Sequence, residues 1–234
     1  MTYIMNEDIS LNYRGRKASR ARSEQRRKAI LEAALRLVVS EGVRGVRHRA
    51  VAKEADVPLS ATTYYFKDIA DLIADTFTLF AEKAMSDVVV PINEDVARFI
   101  EANDVDMLQD KALREQLVEA MASLLVAHIH HELREKRDHL IAEQAFMHES
   151  IRDPRLREMA KHYYEHLVMD MKRLCVQIGV NEPDIAADML MGTIFRIEYE
   201  GLLLEDPEEF DVVRARKILK RQFLALILEM IEGD

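Results

Sequence analysis

Short and planar polar side chains are concentrated in one stretch of the first third of the chain, between residues 60 and 65, with basic residues on either side. Hydroxyl and phenol groups can hydrogen-bond to base edges and phosphates, and guanidinium and ammonium groups neutralise phosphates. The chemistry indicated is hydrogen bonding to a polyanion. The residues predicted to contact nucleic acid are Arg47, Arg49, Ser60, Thr62, Thr63, Tyr64, Tyr65 and Lys67.

Two short helices joined by a three-residue turn must position these groups. The first is predicted over about residues 47–55 and the second over about 58–65, where a proline in the first turn costs no backbone hydrogen bond. The small side chains of Ala52 and Ala55 allow the helices to cross closely, and Val57 plugs the turn. This pattern is typical of a helix-turn-helix, whose second helix offers its first residues to the major groove of DNA.

The charge distribution favours a polyanion partner for this part of the chain only. Residues 10–67 contain 14 Lys and Arg against 5 Asp and Glu, whereas residues 68–234 contain 19 against 35. The net charge of −9 for the whole chain conceals this asymmetry. Residues 1–22 lack helical periodicity and are basic in their second half, which predicts a flexible basic arm.

Helices are predicted throughout the rest of the chain, so the expected fold class is all-α. Gly and Pro number only 7 and 5 of 234 residues, too few for the frequent turns of an all-β fold. Asp and Asn before an early Pro mark several helix starts, as at Asp153-Pro154 and Asp206-Pro207. Besides the two short helices, the predicted ranges are 23–41, 68–89 with a stop before Pro91, 94–103, 110–133, 136–152, 154–178, 182–204 and 208–232.

The run from Ser23 to Leu72 resembles the DNA-binding domain of the TetR (tetracycline-repressor) family of transcriptional regulators. The resemblance implies a helix-turn-helix domain over residues 23–67 after the arm at 1–22, and a helical ligand-binding and dimerisation domain over 68–234. It also implies a repressor that binds double-stranded operator DNA as a homodimer and is released by a small ligand. Beyond residue 72 the chain fits the family in length and helical class only. The matching residues are Ile30, Ala33, Ala34, Leu37, Glu41, Gly42, Val51, Ala52, Lys53, Glu54, Ala55, Val57, Tyr64, Tyr65, Phe66 and Leu72.

Four positions depart from the family pattern. Asp56 replaces the usual turn glycine, and Asp tolerates a left-handed backbone less readily than Gly does. Ala61 and Thr63 replace a threonine and a tyrosine of the recognition helix. Ile69 replaces a lysine that contacts a DNA phosphate from the start of the fourth helix in the family. We therefore assign the corresponding phosphate contact to Lys67 or to the arm.

Apolar stripes on the later helices predict a ligand site and a dimer interface. An apolar lining would take a hydrophobic or amphipathic small molecule, and a filled core is the alternative. The predicted lining is Met121, Leu125, His128, Phe146, Met147, Tyr163 and Met171. The last two helices predict a four-helix bundle between two chains, unless their stripes face the chain's own core. The predicted interface is Met189, Gly192, Phe195, Tyr199, Leu219, Phe223, Leu226 and Met230.

A second interpretation is a helical metal- or cofactor-binding protein with only non-specific affinity for nucleic acid. His162 with His166, and His128 with His131, have spacings that could chelate a metal, but neither pair has the Glu-x-x-His pattern of di-iron bundles. Cys175 is more typical of a small buried hydrophobe than of a reactive thiol. We therefore expect no catalytic residues, no metal and no cofactor. The sequence predicts a cytoplasmic protein, because neither a signal peptide nor a membrane-spanning run is visible.

Overall fold

The computed structural model describes residues 13–16, 21–103 and 110–232, and every regular element within these ranges is helical. The all-α fold class is confirmed. None of the described helices is long and apolar enough to cross a membrane. The α-helices are α1 Ala21–Glu41, α2 His48–Glu54, α3 Leu59–Tyr65, α4 Ile69–Ala84, α5 Val90–Glu101, α6 Lys111–Glu135, α7 Arg137–Ser150, α8 Pro154–Ile178, α9 Pro183–Leu202 and α10 Val212–Glu232. Short 3₁₀ turns occupy Val43–Gly45 and Pro207–Glu209, and a π-helical turn occupies Met85–Val89.

Aspartates cap several of these helices, as their positions in the sequence predict. The carboxylate of Asp68 accepts from the amide of Ala70 at 2.9 Å, and that of Asp153 accepts from Arg155 at 2.8 Å. Each bond satisfies an amide that has no partner within its own helix.

The predicted stop before Pro91 is wrong. The π-helical turn leads directly into α5, and Pro91 lies in the first turn of that helix. In an unbroken α-helix the amide of residue 91 would donate to the carbonyl of Asp87, but proline has no N–H to give. The Lys136 ammonium donates to the Asp87 carbonyl instead, which satisfies the group that Pro91 leaves open.

The start predicted for the last helix is also wrong, because residues 208–211 are not part of it. Asp206 accepts from the amide of Glu208 at 2.9 Å and caps a single 3₁₀ turn. Asp211 then accepts from the amide of Arg214 at 2.8 Å at the start of α10. Two successive aspartate caps thus divide one predicted helix into a turn and a helix.

The described residues divide into two compact units. The first unit contains the described residues up to Met85 together with Ile141–Tyr163, and the second contains Ser86–Leu140 and the described residues from Tyr164 onward. The predicted domain boundary between residues 67 and 68 stays a proposal. In terms of packing, α4 belongs with α1, and both contribute to the core of the first unit.

In the first unit the predicted inward face of α1 is confirmed, since Ile30, Ala34, Leu37 and Val38 are buried. The core of the second unit lies between α6, α9 and α10. Its buried members include Ala122, Val126, Leu133, Ile197 and Leu219.

Candidate DNA-binding surface and internal cavity

The turn between α2 and α3 brings two short helices of the first unit together. Asp56, which replaces the usual glycine, has a φ of 51° and adopts the left-handed backbone that the turn requires. The amide of Val57 donates to the carbonyl of Ala52 at 3.0 Å and closes the turn. The helix-turn-helix predicted from the sequence is therefore present in the structure.

The outer face of α3 is exposed and presents hydroxyl groups and an aromatic ring. Ser60 and Thr63 are exposed, and Tyr64 is 52% exposed. Arg47, Arg49 and Lys67 are exposed as well, Arg47 being the residue at the N-cap of α2. These side chains present hydroxyl donors and acceptors beside positive charge, as a surface for base edges and phosphates requires.

Two of the eight predicted DNA contacts are wrong, because Thr62 and Tyr65 face the core. Thr62 is completely buried, and its hydroxyl donates to the carbonyl of Leu59 at 2.8 Å within the same helix. Tyr65 is 6% exposed, and its hydroxyl lies 2.8 Å from that of Ser23 on α1. Both side chains hold α3 in place and neither is available to a base.

An aromatic cluster forms a second part of the first unit's core. Phe77 and Phe80 of α4 pack on Phe146 and Tyr163, with ring centroids 5.0 Å apart for Phe77 and Phe146 and 5.6 Å apart for Phe80 and Tyr163. The Tyr163 hydroxyl donates to a carboxylate oxygen of Glu143 at 3.0 Å. Burial among these groups raises the pKa of Glu143 to about 7, although the hydrogen bond from Tyr163 opposes the shift.

This carboxyl is expected to make the stability of the protein depend on pH. Since its pKa is raised above the ordinary value of 4.5, folded chains keep the proton at pH values where unfolded chains have lost it. The contribution is fully present below pH 4.5 and is lost as the pH rises to about 7, a change of about 3 kcal/mol. Urea titrations at pH 4.5, 5.5, 6.5 and 7.5 should show this decline in the difference between the wild type and Glu143→Gln, because burial also lowers the pKa of His139 to about 4 and tilts both profiles the other way. Parallel profiles for the two proteins would contradict the assignment.

The second unit contains a cavity of about 110 Å³, and three of the residues predicted to line a ligand site are in its wall. Met121, Leu125 and Met171 line it, as predicted. The polar side chains in its wall are Asn93 and Asn103. The other lining residues are Ile92, Val96, Phe99, Ile100, Leu117, Val118, Leu174, Cys175, Ile178, Val180, Leu190, Phe223, Leu226 and Ile227.

Four residues predicted for this lining do not belong to it. Phe146 and Tyr163 are buried in the aromatic cluster of the first unit, and Met147 belongs to the same unit. His128 lies in the second unit, where its imidazole contacts the carboxylate of Asp95 at 3.0 Å outside the cavity lining. Burial lowers the pKa of His128, whereas Asp95 raises it. Several side chains of the segment 90–103 also line the cavity, and the sequence did not predict them. The segment has an amphipathic face, but the sequence does not show which helix that face packs against.

The predicted interface stripes behave differently on α9 and α10. On α9, Met189, Gly192 and Tyr199 are exposed, and Phe195 is half-buried against Tyr164, with ring centroids 5.8 Å apart. On α10, the prediction is wrong for Leu219 and Leu226, which are buried in the core of the second unit. Phe223, which lines the cavity, and Met230, which packs beside Ile227, are half-buried.

The histidines and the cysteine give no support to a metal site in the described part of the chain. Within those ranges, no group of three or more His, Cys, Asp or Glu side chains is placed to hold a metal ion. Cys175 is buried in the cavity wall, and burial raises the pKa of its thiol to about 11. The thiol is therefore protonated near neutral pH and behaves as a small hydrophobe.

The described residues thus contain a helix-turn-helix with an exposed second helix and, in the other unit, an apolar cavity. Residues 113–223 match the family model described as the tetracyclin repressor-like C-terminal domain. The HTH-type transcriptional regulator PksA of Bacillus subtilis (strain 168) is 40% identical over 60 residues, which are 26% of this chain and 29% of PksA.

Solved structures extend the similarity to most of the chain. A TetR-family member from Streptomyces coelicolor A3 is 28% identical with a TM-score of 0.55, covering 85% of this chain and 98% of that one. The multidrug binding protein EbrR, in complex with proflavin, is 28% identical with a TM-score of 0.52, covering 84% of this chain and 99% of EbrR. The chain is therefore similar in sequence over residues 113–223 to tetracyclin repressor-like C-terminal domains, and in fold over most of its length to a solved member of the TetR family.

Proposed function

We propose that this protein is a homodimeric repressor that binds an operator through α2 and α3 and leaves it when an uncharged apolar ligand enters the cavity of the second unit. The observation that carries the proposal is the exposed outer face of α3, where Ser60, Thr63 and Tyr64 stand beside basic residues. Base-edge contacts are assigned to these three side chains. Phosphate contacts are assigned to Arg47, Arg49 and Lys67.

Substitutions at base contacts and at phosphate contacts should have different effects on DNA binding. Thr63→Ala is expected to cost about 1–3 kcal/mol of operator binding and to relax the base preference at one position. Arg49→Ala is expected to weaken binding to all sequences and to reduce the slope of log affinity against log salt by about one. Fluorescence anisotropy on operator and random duplexes at several salt concentrations measures both effects. Lys217→Ala, which removes an exposed positive charge from α10, is the control for net charge. Wild-type behaviour of both variants would show that α3 is not the recognition helix.

The lining of the cavity indicates the class of ligand. Aliphatic, aromatic and thioether side chains make up nearly all of the wall, and the carboxamides of Asn93 and Asn103 are its polar groups. An ionised ligand would lose its hydration here without gaining a charged partner, so the ligand is expected to be neutral. Asn93 donates to Asp170 at 3.3 Å, which fixes its amide nitrogen and leaves its carbonyl oxygen to accept from a hydroxyl or amide on the ligand.

Filling the cavity should abolish the ligand response without abolishing DNA binding. A ligand present at about 100 times its Kd should stabilise the wild type by about 2.7 kcal/mol, and operator DNA should diminish this stabilisation because coupling between sites is reciprocal. Leu125→Trp places an indole in the cavity and should remove the thermal shift. Met147→Leu, outside the cavity, should keep it. Thermal-shift screening of neutral apolar metabolites, with and without operator, measures the stabilisation by ligand and the effect of operator on it. A thermal shift that persists in Leu125→Trp would contradict the assigned site.

A further inference from the structure

Four residues that precede α1 are held against the helix-turn-helix by one buried carboxylate. Asp75 of α4 has no exposed surface. Its two oxygens accept from the amide of Arg14 at 2.6 Å, from the amide of Gly15 at 2.9 Å and from the Arg27 guanidinium at 2.7 Å. The predicted basic arm at 1–22 is therefore held in place over residues 13–16, and Ala21 and Arg22 lie in α1. Its residues 1–12 and 17–20 lie outside the described ranges.

Two of the three donors to Asp75 are consecutive backbone amides, so the bonds specify the register of the segment. The position of Gly15 is equally constrained, because a Cβ there would lie 2.6 Å from Cε1 of Phe66, a ring with no exposed surface. Only a residue without a side chain fits between Phe66 and Asp75. The ring of Tyr13 adds to the docking, since the Arg27 guanidinium lies 4.4 Å from its centroid.

This docking places Arg16 beside the recognition helix. The amide of Arg16 donates to the carbonyl of Tyr65 at 3.0 Å, and its guanidinium lies 4.5 Å from the centroid of the Tyr64 ring. Arg16 and Tyr64 are both exposed. A guanidinium stacked on an aromatic ring keeps its N–H donors at its edge, where they remain available to an anion.

We propose that Arg16 is a phosphate-binding residue of the DNA-binding surface and that Asp75 and Gly15 are positioning residues that hold it beside Tyr64. The inference rests on the proposed function, because it concerns the same DNA. It extends the surface from α2 and α3 to the segment before α1, and it gives the buried carboxylate of α4 a role in DNA binding as well as in folding.

The test is a double-mutant cycle of Arg16→Ala and Gly15→Ala, measured by anisotropy on the selected operator and on a random duplex over a range of salt concentrations. Gly15→Ala should displace the segment while both side chains of the Arg27–Asp75 pair are kept. Each single variant is expected to bind both duplexes about tenfold more weakly, with a salt slope reduced by about one. The double variant is expected to bind no more weakly than either single variant. Lys217→Ala controls for net charge, and thermal unfolding checks that each variant is folded.

Two results would overturn the inference while leaving the proposed function intact. One is specific binding by the wild type together with wild-type affinity and salt slope in Arg16→Ala. The other is an additive loss in the double variant, which would show that Gly15 does not act through Arg16. If the wild type selects no DNA sequence, the proposed function itself fails.

Discussion

Replacing Met189 with Asp is expected to produce a folded monomer that has lost tight binding to its operator. Ile185 and Met189 are 53% and 51% exposed on α9, and Tyr199 continues the same face. An exposed apolar stripe of this length on one helix is typical of a protein–protein interface. A buried carboxylate without a partner would separate the two chains, and each monomer would then hold only one half-site. Since linking two half-sites raises avidity by about 10²–10⁴, operator affinity should fall by at least about 100-fold.

The matched control is Leu219→Asp on α10. Leu219 has no exposed surface in the single chain, so this substitution should unfold the second unit and not merely separate the chains. Analytical ultracentrifugation reports the oligomeric state, and circular dichroism reports folding. A Met189→Asp protein that stays dimeric at micromolar concentration would exclude this face of α9 as the interface.

Replacing Asp75 with Ala is expected to lower the free energy of unfolding by about 3–5 kcal/mol. The Arg27 and Asp75 side chains are 6% and 0% exposed, and their charged atoms are 2.7 Å apart. Removing the carboxylate leaves a buried guanidinium whose other partner is the exposed Glu24 at 3.2 Å, and it also removes the acceptor for two backbone amides. Urea titration at neutral pH measures the loss.

The double variant Arg27→Met, Asp75→Leu separates the cost of a buried charge that has lost its buried partner from the cost of lost packing. Replacing both members of a buried ion pair by apolar residues of similar volume is often neutral. The double variant should therefore recover most of the stability that Asp75→Ala loses, while the docking of Tyr13–Arg16 stays lost. If Asp75→Ala unfolds like the wild type, the pair does not stabilise the first unit.

Sequence alone could predict the helices and the turn because each is encoded locally. Aspartates before prolines mark helix starts, and Asp56 marks the one turn position that needs a left-handed backbone. The burial of Thr62 could not be predicted in the same way. Its hydroxyl is satisfied by the carbonyl of Leu59 in its own helix, so a polar side chain enters the core without a distant partner.

The ligand and interface residues were harder to assign because amphipathic periodicity gives a helix a buried face without naming its partner. Phe146 and Tyr163 lie on apolar faces, but their neighbours are Phe77 and Phe80 and not a cavity. The apolar residues of α10 have the spacing expected of an interface helix, but the same spacing fits a helix that packs in the core of its own chain, as Leu219 does. Tertiary packing decides between these alternatives, and one sequence does not contain that information.

Selection of bound duplexes from a random DNA library measures whether the protein recognises a particular DNA sequence. A homodimer that reads bases with α3 should enrich one inverted repeat whose half-sites lie about one helical turn, or a multiple of it, apart. The wild type should bind the enriched duplex as two chains and at least about 10³-fold more tightly than random DNA at physiological salt. Enrichment of no sequence, together with binding that depends only on salt, would contradict the account and favour non-specific affinity of a basic helical surface.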